Sequence, residues 1–189
     1  MNNLTLCKAL TYVFGVVFCV VSLGNLLALG YYSSHSALPT NLRLQVPTSQ
    51  EYDVNGVLDM YQGKPRFEFV YERFLEDSWF EDPLVLSTGP NELFRMFKSL
   101  VYLSPTLLDS GVIHSTEEGT NLFLHMKYMI GPVPTEVKSV VYLKYDAGYI
   151  TSLTEQWEDI PLLSFCYGFR KLNGVAFALL APYIFGETL

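Results

Sequence analysis

Hydrophobic residues change their spacing twice along this chain. Ala9 to Ser34 is a run of 26 residues without a formal charge, and roughly 20 apolar residues are enough for a helix to span a bilayer. From about Val57 to Asp77 apolar residues recur at helical spacing, which predicts a first helix that Gly63 and Pro65 break or restart. A second helix is predicted after Gly89, with Pro90 in its first turn. After Pro105 the period becomes two, which predicts three or four strands.

Turn residues delimit these strands. One strand ends at Gly131–Pro134, and the next runs to about Tyr145. Asp146–Gly148 supplies a tight hairpin turn before the final strand, Tyr149–Trp157. Helices followed by an antiparallel meander predict an α+β fold, in which the helices cover one face of a curved, cone-like antiparallel sheet.

The chain divides into four predicted regions. They are a membrane anchor (residues 1–34), a linker (35–56), the α+β domain (57–160) and an apolar C-terminal segment (161–189). A cleaved signal peptide is the alternative for the first region, because Lys8 precedes the apolar run and Ala28–Gly30 offers small residues for cleavage. The apolar stretch of a signal peptide is usually about 7 to 15 residues long. The longer run here favours a single-pass anchor and a membrane location.

The C-terminal segment is uncharged over the 14 residues Leu172–Phe185. That length is short for a spanning helix, which needs roughly 20 residues. Three interpretations of this segment stay open. It is an interfacial or re-entrant segment at a membrane, where the preceding Arg170 and Lys171 meet lipid phosphates, or it is a helix that docks on the domain, or it is a helix that docks on a partner.

Charge and cysteine content exclude several classes of site. The net charge is -7, and residues 43–159 carry 18 acidic against 9 basic side chains. Because no run of Lys or Arg builds a basic patch, nucleic acid is not an expected partner. Cys7, Cys19 and Cys166 form neither a disulfide framework nor a Cys-x-x-Cys pair. We therefore predict no metal site, and in the absence of a phosphate-binding glycine loop no cofactor.

Two short motifs lie at Phe74–Pro83 (FLEDSWFEDP) and Gly148–Trp157 (GYITSLTEQW). They resemble the exit from the first long helix and the last strand of the nuclear transport factor two-like superfamily, which includes SnoaL-like polyketide cyclases and ketosteroid isomerases. The resemblance implies a cone whose sheet and helices enclose a pocket, here in a membrane-anchored member. Leu153 stands where many relatives have histidine, and Glu155 stands where they have aspartate. The family's acid–base pair is therefore absent, which leaves Glu155 and Asp82 as the candidate catalytic carboxylates.

Strand alternation predicts which residues face this pocket. Because alternate residues of a strand share a face, Glu155 lies on the same side as Leu153 and Trp157. A carboxylate in such surroundings is partly desolvated, which raises its pKa towards the range of a general acid or base at neutral pH. The alternatives are that Glu155 pairs across the sheet or sits at the rim, and that Asp82 only supports the turn before Pro83. The predicted pocket-lining residues are Tyr71, Tyr149, Leu153 and Trp157, and the tyrosines that could add hydroxyl groups are Tyr52, Tyr61, Tyr71, Tyr102 and Tyr128.

Three functions are compatible with these features. The domain binds an apolar small molecule beside membrane lipid, or it is an interaction module in a homodimer or a membrane complex. Alternatively, it is a cofactor-independent dehydratase, isomerase or cyclase that uses a pocket carboxylate. Because the family's histidine is missing, binding or interaction is favoured over catalysis.

Overall fold

The computed structural model describes residues 50–130, 132–158, 167–168 and 170–175. The predicted anchor (1–34) and the first part of the predicted linker lie outside the described residues, as does most of the C-terminal segment. Within the described ranges, no helix is both long enough and apolar enough to cross a membrane.

Three helices and six strands form the described part of the domain, and residues 170–175 add a helical turn near the C-terminus. The helices are α1 (Glu51–Tyr61), α2 (Phe67–Arg73) and α3 (Gly89–Ser99), and α3 continues into a 3-10 turn (Leu100–Leu103). The strands are β1 (Phe74–Glu81), β2 (Leu86–Thr88), β3 (Thr106–Ser115), β4 (Gly119–Ile130), β5 (Val133–Asp146) and β6 (Tyr149–Trp157). Three or four strands were predicted after Pro105 and the structure has four; the helix predicted after Gly89, with Pro90 in its first turn, is confirmed.

The six strands form one sheet in the order β2-β1-β6-β5-β4-β3. The predicted meander of β3 to β6 is antiparallel, but β1 pairs with β6 in parallel. The predicted antiparallel sheet is therefore confirmed for β3 to β6, whereas the parallel pairing of β1 with β6 corrects it at that one place. Irregular register between Lys144 and Tyr145, and at three other places, bends the sheet. The α+β arrangement of helices on a curved sheet is confirmed.

The helix predicted from Val57 to Asp77, with a break or restart at Gly63 and Pro65, is two helices followed by the start of a strand. Gly63 separates the helices with φ +70°, in the left-handed region that glycine adopts most easily. Helix α1 begins at Glu51, inside the predicted linker (35–56), because Asp53 and Val54 are buried against the rest of the domain. At the other end, the apolar residues keep their helical spacing after Arg73, where α2 ends, so the predicted helix extended too far.

The core lies between the helices and the sheet. Phe97 of α3 packs edge-on against Phe80 of β1, with 4.9 Å between the ring centroids, and Tyr61 of α1 packs against the same Phe97 at 5.2 Å. From the sheet, β4 contributes Leu122, Leu124 and Met126, which alternate with less buried residues as predicted. The helices are thereby fixed over one face of the sheet, with the end of α1 above β6.

A buried ion pair holds the other end of the helical layer. The Arg73 guanidinium donates two hydrogen bonds to the Asp53 carboxylate, at 2.7 and 2.8 Å, and a third to the Gly148 carbonyl oxygen at 2.7 Å. Asp53 is only 2% exposed. One side chain thus connects α1, the end of α2 and the β5–β6 turn.

Candidate functional site

Strand register brings the two candidate carboxylates together. In the parallel pair of β1 and β6, Phe80 lies opposite Leu153 and Glu81 lies opposite Thr154. One residue further along each chain, this register places Asp82 beside Glu155. Both residues are at the carboxyl ends of their strands, and the end of α1 covers them from the helical layer. The two sequence motifs therefore meet at one site.

Glu155 is buried, with 4% of its surface exposed. The Tyr61 hydroxyl donates a hydrogen bond to its Oε2 atom over 3.0 Å. Burial, and then the charge of Asp82, raise the pKa of Glu155 to about 8, although hydrogen bonds from Ser139, Tyr61 and Trp157 act in the opposite direction. Glu155 therefore holds its proton at neutral pH and can donate it.

Asp82 is partly exposed and occupies the turn between β1 and β2. Its Oδ1 atom accepts the backbone N–H groups of Leu84 at 2.7 Å and of Val85 at 2.5 Å. Desolvation raises the pKa of Asp82 to about 6, although these two N–H groups and the charge of Arg170 lower it. Asp82 is thus ionised at neutral pH, and it also performs the turn-supporting role that the sequence left open.

Two of the five tyrosines considered from sequence belong to this site. Burial, followed by the charge of Glu155, raises the pKa of both Tyr61 and Tyr128 well above the usual value, and Asp82 contributes to both shifts. Both hydroxyl groups therefore stay protonated and can donate hydrogen bonds. The other three tyrosines are exposed at the surface: Tyr52, Tyr71 and Tyr102.

The structure brings only two of the four predicted pocket-lining residues to the carboxylates. Leu153 is fully buried beside Phe80, and half-buried Trp157 bonds to Glu155. Tyr71 is 41% exposed on the outer side of α2, where it stacks on Phe67. Tyr149 is 45% exposed next to the β5–β6 turn, because the register shift at Lys144/Tyr145 ends the simple alternation there. The structure therefore places Tyr71 and Tyr149 at the surface and not beside the two carboxyl groups, and their part in a pocket stays a prediction.

The sequence did not identify Ser139, which lies opposite Trp157 in the β5–β6 register. Its hydroxyl group is fully buried and faces Glu155 closely enough to lower the pKa of that carboxyl group. Among the described residues, the distance and angles from the Ser139 Oγ atom do not meet the strict geometry of a hydrogen bond. A serine among the apolar residues of β5 was the signal available in the sequence.

A concavity lies on the other face of the sheet from the carboxylates. It is an open groove of about 640 Å³ at the β5–β6 turn, and its lining includes His114, Asn121, Tyr142 and Lys144. Asn121 and Tyr142 alternate with the buried Leu122 and Val141, so they point away from the carboxylates. This groove contains no part of the acid–base cluster.

The cluster suits acid–base chemistry or polar-group binding. It places one protonated carboxyl group, one carboxylate and two tyrosine hydroxyls in a mostly apolar setting, where electrostatic interactions are stronger than in water. Among the described residues, no three His, Cys, Asp or Glu side chains are grouped closely enough to hold a metal ion.

Comparison with known proteins gave matches in structure alone. No protein-family model matches the chain, and no curated protein matches it in sequence. Similar solved structures include an NTF2-like protein from Anabaena variabilis, with 15% identity and a TM-score of 0.48 over 60% of this chain and 93% of that one. An NTF2-like protein of unknown function from Cytophaga hutchinsonii has 13% identity and a TM-score of 0.46 over 60% of this chain and 92% of that one. A protein with a ketosteroid isomerase-like fold from Catenulispora acidiphila, solved with trimethylamine, has 14% identity and a TM-score of 0.46 over 67% of this chain and 94% of that one.

Proposed function

We propose that this domain binds an apolar small molecule and holds the polar group of that molecule at Glu155. The observation that carries the proposal is the convergence of Glu155, Asp82, Tyr61 and Tyr128 in a mostly buried cluster. A ligand oxygen at this place would accept hydrogen bonds from the protonated Glu155 and from a tyrosine.

Access to the cluster supports the same proposal. Glu155 and Tyr61 are buried, whereas Asp82, Tyr128 and Trp157 are each partly exposed. These three side chains, one acidic and two aromatic, are the partly exposed members of the cluster around Glu155. Such a combination suits a ligand that is largely apolar and carries one polar group, because pockets for small molecules are mostly apolar with a few precisely placed polar groups.

Native mass spectrometry of the full-length protein, extracted gently from its own host, tests this proposal. We expect a bound mass in the wild type and about a tenfold lower occupancy in Glu155→Leu, because a lost hydrogen bond to the polar group costs about 1.5 kcal/mol. Glu136→Gln, at a carboxylate that is 57% exposed, is the matched control and should keep the mass. A bare wild-type protein that co-purifies with other chains would instead indicate an interaction module.

Proton transfer, as in a cofactor-independent dehydratase, isomerase or cyclase, is the second candidate function. It is favoured by the different acidities of the two carboxyl groups, with pKa values of about 6 for Asp82 and about 8 for Glu155. Near pH 7 one group is a base and the other an acid, as general acid–base chemistry requires. The same preparation in deuterated water provides the test. Carbon-bound deuterium in the retained molecule, lost in Asp82→Asn, would support catalysis, and its absence in the wild type would oppose it.

We also propose that residues 1–34 tether the domain to a membrane by a single helix, which the uncharged run Ala9–Ser34 supports. In host membranes washed with alkaline carbonate, the full-length chain should stay in the pellet. A variant that lacks residues 1–34 should move to the supernatant, whereas a control that lacks residues 176–189 should not. Release of the full-length chain by the wash would contradict the anchor.

A further inference from the structure

We propose that Arg170 is a positioning residue of the carboxylate site: it holds the β1–β2 turn and places a positive charge on the Asp82 side of the two carboxyl groups. The inference rests on the proposed function, since it gives the two acids different roles towards a ligand. It assigns a role to a C-terminal residue that lies 88 positions after Asp82 in the chain.

Arg170 is a buried cation, with 4% of its surface exposed. Its Nη1 atom lies 3.3 Å from Oε2 of Glu81 and 3.5 Å from the carbonyl oxygen of Asp82. Removing a cation from water is costly unless it is paired, so this position is maintained by its partners. No described hydrogen bond or ion pair joins Arg170 to Glu155, and its charge therefore acts first on the Asp82 side of the site.

Residues 170–175, which include Arg170, contact the β1–β2 turn from outside the cluster. The Asn173 Nδ2 atom donates to the Leu84 carbonyl oxygen over 2.7 Å, while the Asp82 carboxylate accepts the Leu84 N–H from inside. Gly174 lies directly on β2, and a Cβ atom there would come within 2.0 Å of the Leu86 carbonyl oxygen. The Asp82 turn is consequently fixed on both sides.

The charged groups around Asp82 explain why a cation is needed there. Glu81 precedes it and Glu155 lies beside it, and the charge of Glu81 disfavours ionisation of Asp82. The hydroxyl groups of Tyr61 and Tyr128 face the cluster and stay neutral. Arg170 pairs with Glu81 and favours the ionised form of Asp82. Without it, Glu81 and Asp82 would be adjacent acidic groups with no paired cation, and like charges at short range suppress ionisation.

Carboxyl NMR titration of the full-length protein in mild detergent, labelled with carboxyl-¹³C aspartate, tests the proposal. The Asp82 signal is assigned by its loss in Asp82→Asn. In Arg170→Met we expect the Asp82 pKa to rise by about one unit, because an opposite charge within about 4–6 Å shifts a carboxyl pKa by roughly one to three units. Arg170→Lys keeps the charge and should recover part of the shift.

Lys171→Met is the matched control, since Lys171 lies on the same helical turn and bonds to Glu92 at 3.0 Å and Thr88 at 2.8 Å. It should leave the Asp82 titration unchanged. Glu81→Gln provides a second variant if Arg170→Met does not fold, and it should lower the Asp82 pKa by removing a like charge and freeing Arg170. An unshifted Asp82 in a folded Arg170→Met protein, an equal shift in Lys171→Met, or no decrease in Glu81→Gln would overturn the inference.

The titration is carried out without ligand, so its failure differs from a failure of the proposed function. An unchanged Asp82 pKa in Arg170→Met rejects the role of Arg170, whether or not native mass spectrometry finds a bound molecule. If the Asp82 pKa shifts as expected but the protein retains no ligand and shows no proton transfer, the proposed function is rejected instead.

Discussion

Replacing Glu155 with glutamine should remove a pH dependence of stability that we expect in the wild type. In the wild type, the free energy of unfolding should fall by about 2 kcal/mol between pH 6 and pH 8. In the folded protein Glu155 keeps its proton up to about pH 8, because burial and the charge of Asp82 raise its pKa. In the unfolded chain the same group has already lost its proton. The folded state therefore binds more protons in this window, and the free energy of unfolding falls as pH rises.

Urea unfolding followed by circular dichroism, at several pH values in mild detergent, measures this effect. Asp82, whose pKa is raised to about 6, contributes a similar decrease mainly at lower pH, and this part should persist in Glu155→Gln. The histidines are present in both proteins and cancel in the difference. Glu136→Gln, at an exposed position, should follow the wild-type curve. Parallel curves for Glu155→Gln and the wild type would show that Glu155 is ionised at neutral pH and would remove the acid from the proposed site.

Replacing Arg73 with methionine should lower the free energy of unfolding by about 3 kcal/mol. The substitution leaves the Asp53 carboxylate buried without its two hydrogen bonds from the guanidinium, and breaking a buried ion pair from one side typically costs about 3–5 kcal/mol. The lower end applies because Arg73 is 28% exposed and water can partly replace it. Urea unfolding at pH 7 gives the value.

Arg66→Met is the matched control for this prediction. Arg66 pairs with Asp59 at 3.1 Å, but both side chains are about 40% exposed, and exposed pairs contribute at most about 1 kcal/mol. The double variant Asp53→Leu/Arg73→Met should recover part of the lost stability, since it removes the stranded charge as well. Equal effects of Arg66→Met and Arg73→Met would contradict the assignment of Asp53–Arg73 as the stabilising pair.

The sequence predicted the α+β order and both acids of the candidate site. Periodicity identified α3 and the strands after Pro105, because each of these elements buries one regular face. The two motifs singled out Asp82 and Glu155, but could not say whether they are close, since 73 positions separate them in the chain. Only the parallel register of β1 and β6, with Phe80 opposite Leu153, decides that.

Where the structure differs from the predictions, a local pattern was extended too far. Helical spacing continues past Arg73, yet the chain turns into a strand at Phe74, because pairing with β6 outweighs local preference. Alternation along β6 placed Tyr149 in the pocket, but the register shift at Lys144/Tyr145 changes which residues face inward. Tyr71 has the right type and spacing for a pocket residue, but its side of α2 points to solvent.

The sequence by itself determined the properties that arise within a few turns or strands. These are the element types, the hairpin turn at Asp146–Gly148 and the presence of a carboxylate close to Trp157. The tertiary structure alone decided the acidity of Glu155, the pairing of Asp53 with Arg73 and the contact of Arg170 with the Asp82 turn. The physical reason is that burial and charge proximity depend on distances between segments far apart in the chain. Local patterns carry no information about these distances.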